Sequence, residues 1–196
     1  MALAPRLWLL PVAVLCLALA GCLAGERARA VPAVLRGVQF RDARGAAWEA
    51  ERAAGKTLIL NFFFTRCGSV CPRQTRELVE LQQALSPELR TSIEFLSISI
   101  DPTHDGPSEL ARFVTAQRAE FPNWAFVAAT PAATTALVSQ LEVKPPAATG
   151  IEAAGDHSAG IYVFDRLGRL MQRYTGAPLD RQRLARDLAR LDRVGT

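Results

Sequence analysis

The sequence predicts an α/β sandwich, a central mixed sheet flanked by helices, with an additional hairpin at its N-terminal side. Three observations predict it. The run "KTLILNFFFT", Lys56 to Thr65, is rich in branched and aromatic residues, as expected of a strand buried on both faces of a sheet. Helical periodicity follows at once, with Leu78, Leu81, Leu85 and Leu89 recurring toward one face. Strand-like and helix-like segments then alternate, the order that builds a strand-helix-strand unit. At 196 residues, 49% hydrophobic and 21% charged, the chain has the composition and length of one globular domain with appendages.

Each element has its own signal. "GVQFRDARGAAWEA", turning near Gly45, reads as the extra hairpin, and Lys56 to Thr65 as the central strand. Pro72 suits the first turn of the following helix, because its missing N–H needs no partner there, and this puts Cys71 at or near the N-cap. "SIEFLSISI", Ser92 to Ile100, is a second strand. "DPTHDGP" then turns the chain into a helix with Leu110, Phe113 and Val114 on one stripe. "NWAFVAAT" is a short third strand, after which Thr130 and Pro131 have the chemistry of an N-cap and a first helical position ahead of Leu137, Val138 and Leu141. Val143 to Asp156 carries Pro145, Pro146, Gly150 and Gly155 and reads as a long loop. "AGIYVFDRLGRLMQRYTG" is a hairpin turning at Arg166 to Gly168. The last helix points Leu184, Leu188 and Leu191 inward and Arg183, Arg186, Arg190 and Arg193 largely outward. This order, with two cysteines after the first core strand, outlines a thioredoxin-like sandwich.

The N terminus reads as a targeting segment. Arg6 precedes an apolar run from Leu7 to Ala20, shorter than the roughly 20 apolar residues of a spanning helix. Leu19-Ala20-Gly21-Cys22 resembles the lipobox of bacterial lipoproteins, which implies cleavage before Cys22 and a lipid on that residue. The alternative is a plain secretory signal, giving a soluble periplasmic protein. The expected organisation is a signal peptide over 1–21, a tether over 22–36 and one folded domain over 37–196. The protein is then held on the periplasmic side of a membrane, anchored and not spanning. The formal charge of +4, one less without Arg6, falls short of a nucleic-acid footprint.

With Cys16 lost in the leader and Cys22 lipidated, Cys67 and Cys71 are left. A lone close pair in an oxidising compartment is a disulfide, a redox couple or a soft-metal clamp. Residues four apart at a helix start face the same side, and the helix dipole favours a thiolate at Cys71. His157, in the segment entering the hairpin strand, would lie beside the cysteine loop in a thioredoxin-like sandwich. Two thiolates and an imidazole form a soft donor set suited to monovalent copper, with zinc as the alternative. Asp101, Asp105 and Asp156 are candidates for orienting the site or meeting a partner, against the plainer role of turn formation and capping. His104 reads as solvated, and Phe62, Phe63 and Phe64 as core.

"FFFTRCGSVCP", "SISIDPTHDGP" and "DHSAGIYVFDRLGRL" together resemble the Sco/SenC family of copper proteins, over roughly residues 35 to 193. The resemblance implies a thioredoxin-like, membrane-tethered, extracytoplasmic metallochaperone. It implies copper bound by Cys67, Cys71 and His157 and passed to the copper-A centre of cytochrome c oxidase, or to another periplasmic copper or thiol protein. Gly68 and Ser69 stand where the family usually has Pro and Asp, which should loosen the loop and alter affinity. Two other functions compete. In one, Cys67 and Cys71 are the catalytic couple of a thiol-disulfide oxidoreductase that reduces an acceptor. In the other, they form an inert disulfide in an interaction module that docks through its arginine-rich last helix.

Overall fold

The structure is a computed structural model and describes residues 30–143 and 160–194. Among the described residues seven strands form one sheet: β1 (Phe40–Asp42), β2 (Ala47–Trp48), β3 (Thr57–Phe63), β4 (Ile93–Ser99), β5 (Trp124–Ala128), β6 (Gly160–Phe164) and β7 (Leu170–Thr175), in the order β2-β1-β5-β4-β3-β6-β7. β3, β4 and β5 run parallel, and β6 lies antiparallel to β3 and to β7. β1 and β2 pair antiparallel and add to the free edge of β5.

Every residue of β3 and β4 is buried, as strands covered on both faces require. Alternation divides their side chains between two cores. Ile59, Phe63 and Phe95 pack under α1 (Val70–Ala84), α3 (Pro107–Gln117) and α5 (Arg181–Val194) with Leu78, Phe113, Leu184 and Leu188. Leu58, Leu60 and Phe62 face the other way, against Leu137 of α4 (Pro131–Gln140) and the N-terminal residues Leu35 and Phe40. The arginines of α5 at 183, 186, 190 and 193 are exposed. No described helix is long and apolar enough to cross a membrane.

Three details depart from the sequence reading. The leucine-periodic stretch is two helices, because α1 ends at Ala84 and a short α2 (Pro87–Ser92) begins with Ser86 accepting from the Leu89 amide. Pro87 has no N–H to continue α1, so the chain restarts there. The tether expected over 22–36 ends earlier: Leu35 is fully buried in the second core, and Val31 and Val34 pack on it. Asn61 interrupts the apolar run of β3 yet is 1% exposed, giving its amide to Gln74 of α1 and accepting the Ser97 hydroxyl of β4. Ser97 also accepts the Trp124 indole N–H, so a polar chain inside the first core fixes α1 over β3, β4 and β5. The Thr130 cap is as expected, its hydroxyl accepting from the Ala133 amide. Of the Val143 to Asp156 loop, residues from 144 on lie outside the described residues.

Candidate metal centre

After β3 the chain makes a tight turn, in which the Cys67 amide donates to the Phe64 carbonyl at 3.2 Å, and α1 begins at Val70. Cys67 precedes the helix and Cys71 is its second residue. Both sulfurs are free thiols, 8% and 7% exposed, at the edge of the first core. The Cys71 amide donates to Cys67 Sγ at 3.3 Å, folding the four-residue spacing onto itself.

This geometry makes the thiols unequal. Donation from the Cys71 thiol, helped by the backbone amides of Cys71, Ser69 and Val70, outweighs burial and lowers the Cys67 pKa to about 5. Cys71 moves the opposite way, driven up by its bond to Cys67, by burial and by the neighbouring negative charges of Cys67 and Asp105. The helix start therefore favours a thiolate, as the sequence suggests, but on Cys67 and not on Cys71. Cys67 lies ahead of the first unpaired amides, whereas Cys71 is already inside the first turn.

A buried carboxylate holds the loop. Asp105, 0% exposed, accepts the Thr65 amide at 3.0 Å and the Thr65 hydroxyl at 2.5 Å, and it also accepts the Ser99 hydroxyl at 2.5 Å. It thereby ties the stretch leading into Cys67 to the end of β4. Thr65 and Ser99 lie in two separate stretches of sequence, and only the parallel pairing of β3 with β4, which sets Phe63 opposite Ser99, brings them to one carboxylate. Outside this clasp, Asp101 pairs with Arg66 at 2.6 Å and with His104 at 2.7 Å. Against some desolvation, its bonds to His104 and Arg66 hold the Asp101 carboxyl below the usual range. His104 is exposed but engaged, where a merely solvated ring was expected. Phe62 and Phe63 are core, and Phe64 packs partly buried against the first core.

Cys67, Cys71, Asp101 and Asp105 thus fall at one end of the sheet. Cys22, Asp156 and His157 lie outside the described residues. Among the described residues no group of three or more His, Cys, Asp and Glu side chains is placed to hold a metal ion. Gly68, one of the two departures in the cysteine loop, is not imposed by packing, since a Cβ there would meet no atom within 4 Å. Ser69 occupies the N-cap position without a side-chain cap bond.

Residues 28–192 match the family model described as SCO1/SenC. A SCO1 protein homolog of Bacillus subtilis (strain 168) is 26% identical over 146 residues, 70% of this chain and 71% of the homolog. The crystal structure of a SCO1/SenC family lipoprotein from Bacillus anthracis superimposes with a TM-score of 0.68 at 25% identity, over 79% of this chain and 92% of that one. Bradyrhizobium japonicum ScoI, solved with copper bound, superimposes with a TM-score of 0.63 at 25% identity, over 79% and 96%.

Proposed function

The chain belongs to the SCO1/SenC family, and from that premise we propose that it is an extracytoplasmic copper carrier. In this reading it is a lipoprotein anchored through Cys22, with a short tether and one folded domain, and it holds copper through Cys67, Cys71 and His157. SCO1/SenC proteins act in cytochrome c oxidase assembly, which makes the copper-A centre of that enzyme the proposed acceptor. A ScoI relative holds copper and another relative is a lipoprotein, and both support the reading.

The observation that carries it is the pair of free, buried, adjacent sulfurs with one already biased to thiolate. Soft donors in a shielded site suit a soft monovalent ion. The path of the chain supports the third ligand. Gly160 opens β6, whose next residue pairs with Asn61 toward the C-terminal end of β3, the end that leads to Cys67. His157 is three residues before Gly160, within roughly 10 Å of chain.

Reduced protein loaded with monovalent copper and desalted should retain about one copper per chain. Cys67→Ser and Cys71→Ser should each abolish retention, and His157→Ala should weaken it. No retained copper, or retention indifferent to both cysteines, overturns the proposal. The visible spectrum with divalent copper gives a second readout, through sulfur-to-copper charge-transfer bands that vanish in the same variants.

The inequality of the thiols favours a second activity of the same pair, thiol-disulfide exchange. The Cys67 thiolate attacks a disulfide sulfur of the acceptor, forming a mixed disulfide and expelling the other acceptor sulfur as thiolate. Cys71 then gives up its proton and attacks Cys67 Sγ, which releases the reduced acceptor and leaves a Cys67–Cys71 disulfide. Here His157→Ala should leave the rate of acceptor reduction nearly unchanged, while either serine variant stops turnover.

A further inference from the structure

Three large apolar side chains stand exposed among the described residues: Leu167 at 43%, Leu170 at 38% and Met171 at 45%. All three belong to the turn between β6 and β7 or to the first two positions of β7. Two facts distinguish this cluster from scattered surface hydrophobics, which need no explanation.

The first is where the N-terminal segment meets the fold. A Cβ at Gly168 would lie 2.8 Å from the Val31 carbonyl carbon and from the Pro32 nitrogen, so the turn abuts the backbone by which the chain enters the domain. Arg36 donates to the Val31 carbonyl at 3.3 Å and is exposed, placing a guanidinium beside the turn. Arg169, two-thirds exposed and paired with Asp165, adds a second. The second fact is position along the sheet. Phe164 at the end of β6 pairs with Leu58 at the start of β3, so the turn lies at the end opposite Cys67, about 20 Å away along the strands.

We propose that the β6–β7 turn rests on the lipid surface, with Leu167, Leu170 and Met171 in the boundary between headgroups and acyl chains and with Arg36 and Arg169 toward anionic headgroups. The inference depends on Cys22 carrying lipid. From Cys22 to Ala30, where the described fold begins, is about eight residues, which span at most roughly 28 Å when fully extended. That tether joins the domain at this end, beside the turn, so the turn is the part of the fold held nearest the membrane, where apolar side chains flanked by arginine are favoured. The cysteine mouth then faces away from the bilayer, toward partners in the aqueous space.

The test uses the mature lipoprotein in vesicles of phosphatidylcholine and phosphatidylglycerol with brominated acyl chains. L170W places a reporter on the turn and R76W places one near the cysteines, both at exposed positions that tolerate a large side chain. The emission added by L170W should be largely quenched, and that added by R76W should not, while Trp48 and Trp124, buried in the fold, stay bright. Protein that floats with the vesicles but leaves the L170W emission unquenched overturns the proposal and points to a protein partner or a second copy at the turn. Protein that does not float overturns the anchor and this inference together, and its copper content, read from the same sample, still reports independently on the metal site.

Discussion

At one end of the sheet the polar groups are buried and bonded between segments distant in sequence; at the other a turn holds itself together locally and leaves its apolar side chains in the open. Asp105 joins Thr65, 40 residues away, to Ser99, and the loop so held delivers Cys67. Asp165 accepts from the amides of Leu167 and Arg169, two and four residues on, and from the Arg169 guanidinium. Geometry that must be exact about two sulfurs is fixed by the whole fold, while a surface meant for a soft, undemanding contact needs only a stable turn. The comparison teaches that a shared residue type, an aspartate beside a turn, carries different weight according to how far its partners lie along the chain.

The sharpest way to break this contrast is to remove the two aspartates in turn. Asp105→Ala strands the part-buried Thr65 amide and hydroxyl and the buried Ser99 hydroxyl, and at about 1–3 kcal/mol per stranded group the expected cost is about 3–5 kcal/mol. Asp165→Ala exposes its amides to water and should cost about 1–2 kcal/mol, as loss of a cap does. Urea denaturation of both variants measures the difference. Asp105→Ala should also weaken copper retention and Asp165→Ala should not; equal losses in stability would remove the distinction between the two ends.

Gly168→Ala comes next. Gly168 sits at φ +72°, where a Cβ costs about 1–2 kcal/mol, and that Cβ would press on the Val31–Pro32 backbone. A loss of about 2 kcal/mol is expected by thermal or urea unfolding, with copper stoichiometry unchanged. A loss no larger than the cost of the left-handed φ, about 1 kcal/mol, would mean that the N-terminal segment is not held against the turn.

Much of this fold is legible in the sequence because its signals are local. The buried run of β3, the Thr130 cap with Pro131 and the turn at Arg166 to Gly168 each announce themselves within a few residues. So does the cysteine pair. The Asp105 clasp does not, since neither Thr65 nor Ser99 carries a signal until β3 and β4 are paired in register. The same holds for the thiol that is activated: the spacing shows that two sulfurs meet at a helix start, but only the observed start at Val70 shows which of them lies in front of the free amides. The break at Ser86-Pro87 was open to a reading of capping chemistry, which the leucine period masked.

The inequality of the thiols can be tested by pH. With Cys67 near 5, its alkylation by iodoacetamide should be level from pH 8 to 6 and fall about tenfold by pH 4, while Cys71 stays unlabelled throughout. Between about 5 and the ordinary thiol value of 9.0 the unfolded chain binds the Cys67 proton and the folded chain does not, so stability rises with pH across that window and is lost as pH falls through 5. Above it, the raised Cys71 reverses the trend. Copper binding at neutral pH should release about one thiol proton, from Cys71, and not two. Release of two, measured in weakly buffered solution with an indicator, would show that Cys67 is no thiolate.

The smallest effect concerns charge at the cysteine mouth. Arg73 and Arg76 line a shallow depression with Gly68, Ser69, Val70 and Pro72, and both are exposed. The acids around them are engaged elsewhere: Glu77 and Glu80 with Arg181, Asp101 with Arg66, and Glu109 with Arg112. Among the described residues two cations are thus left to bias what approaches Cys67. Oxidation of the reduced pair by glutathione disulfide, an anion, should be favoured over oxidation by cystamine, a cation, relative to the same ratio in an Arg73→Gln, Arg76→Gln variant. A two- to fivefold change is expected at low ionic strength, shrinking toward one in 0.5 M salt, where the screening length of about 4 Å is shorter than the reach of either guanidinium. A ratio indifferent to the substitutions would assign the local field to the amides at the start of α1, which salt screens far less. The cysteine end would then owe its electrostatics, like its geometry, to the backbone it shares with the fold.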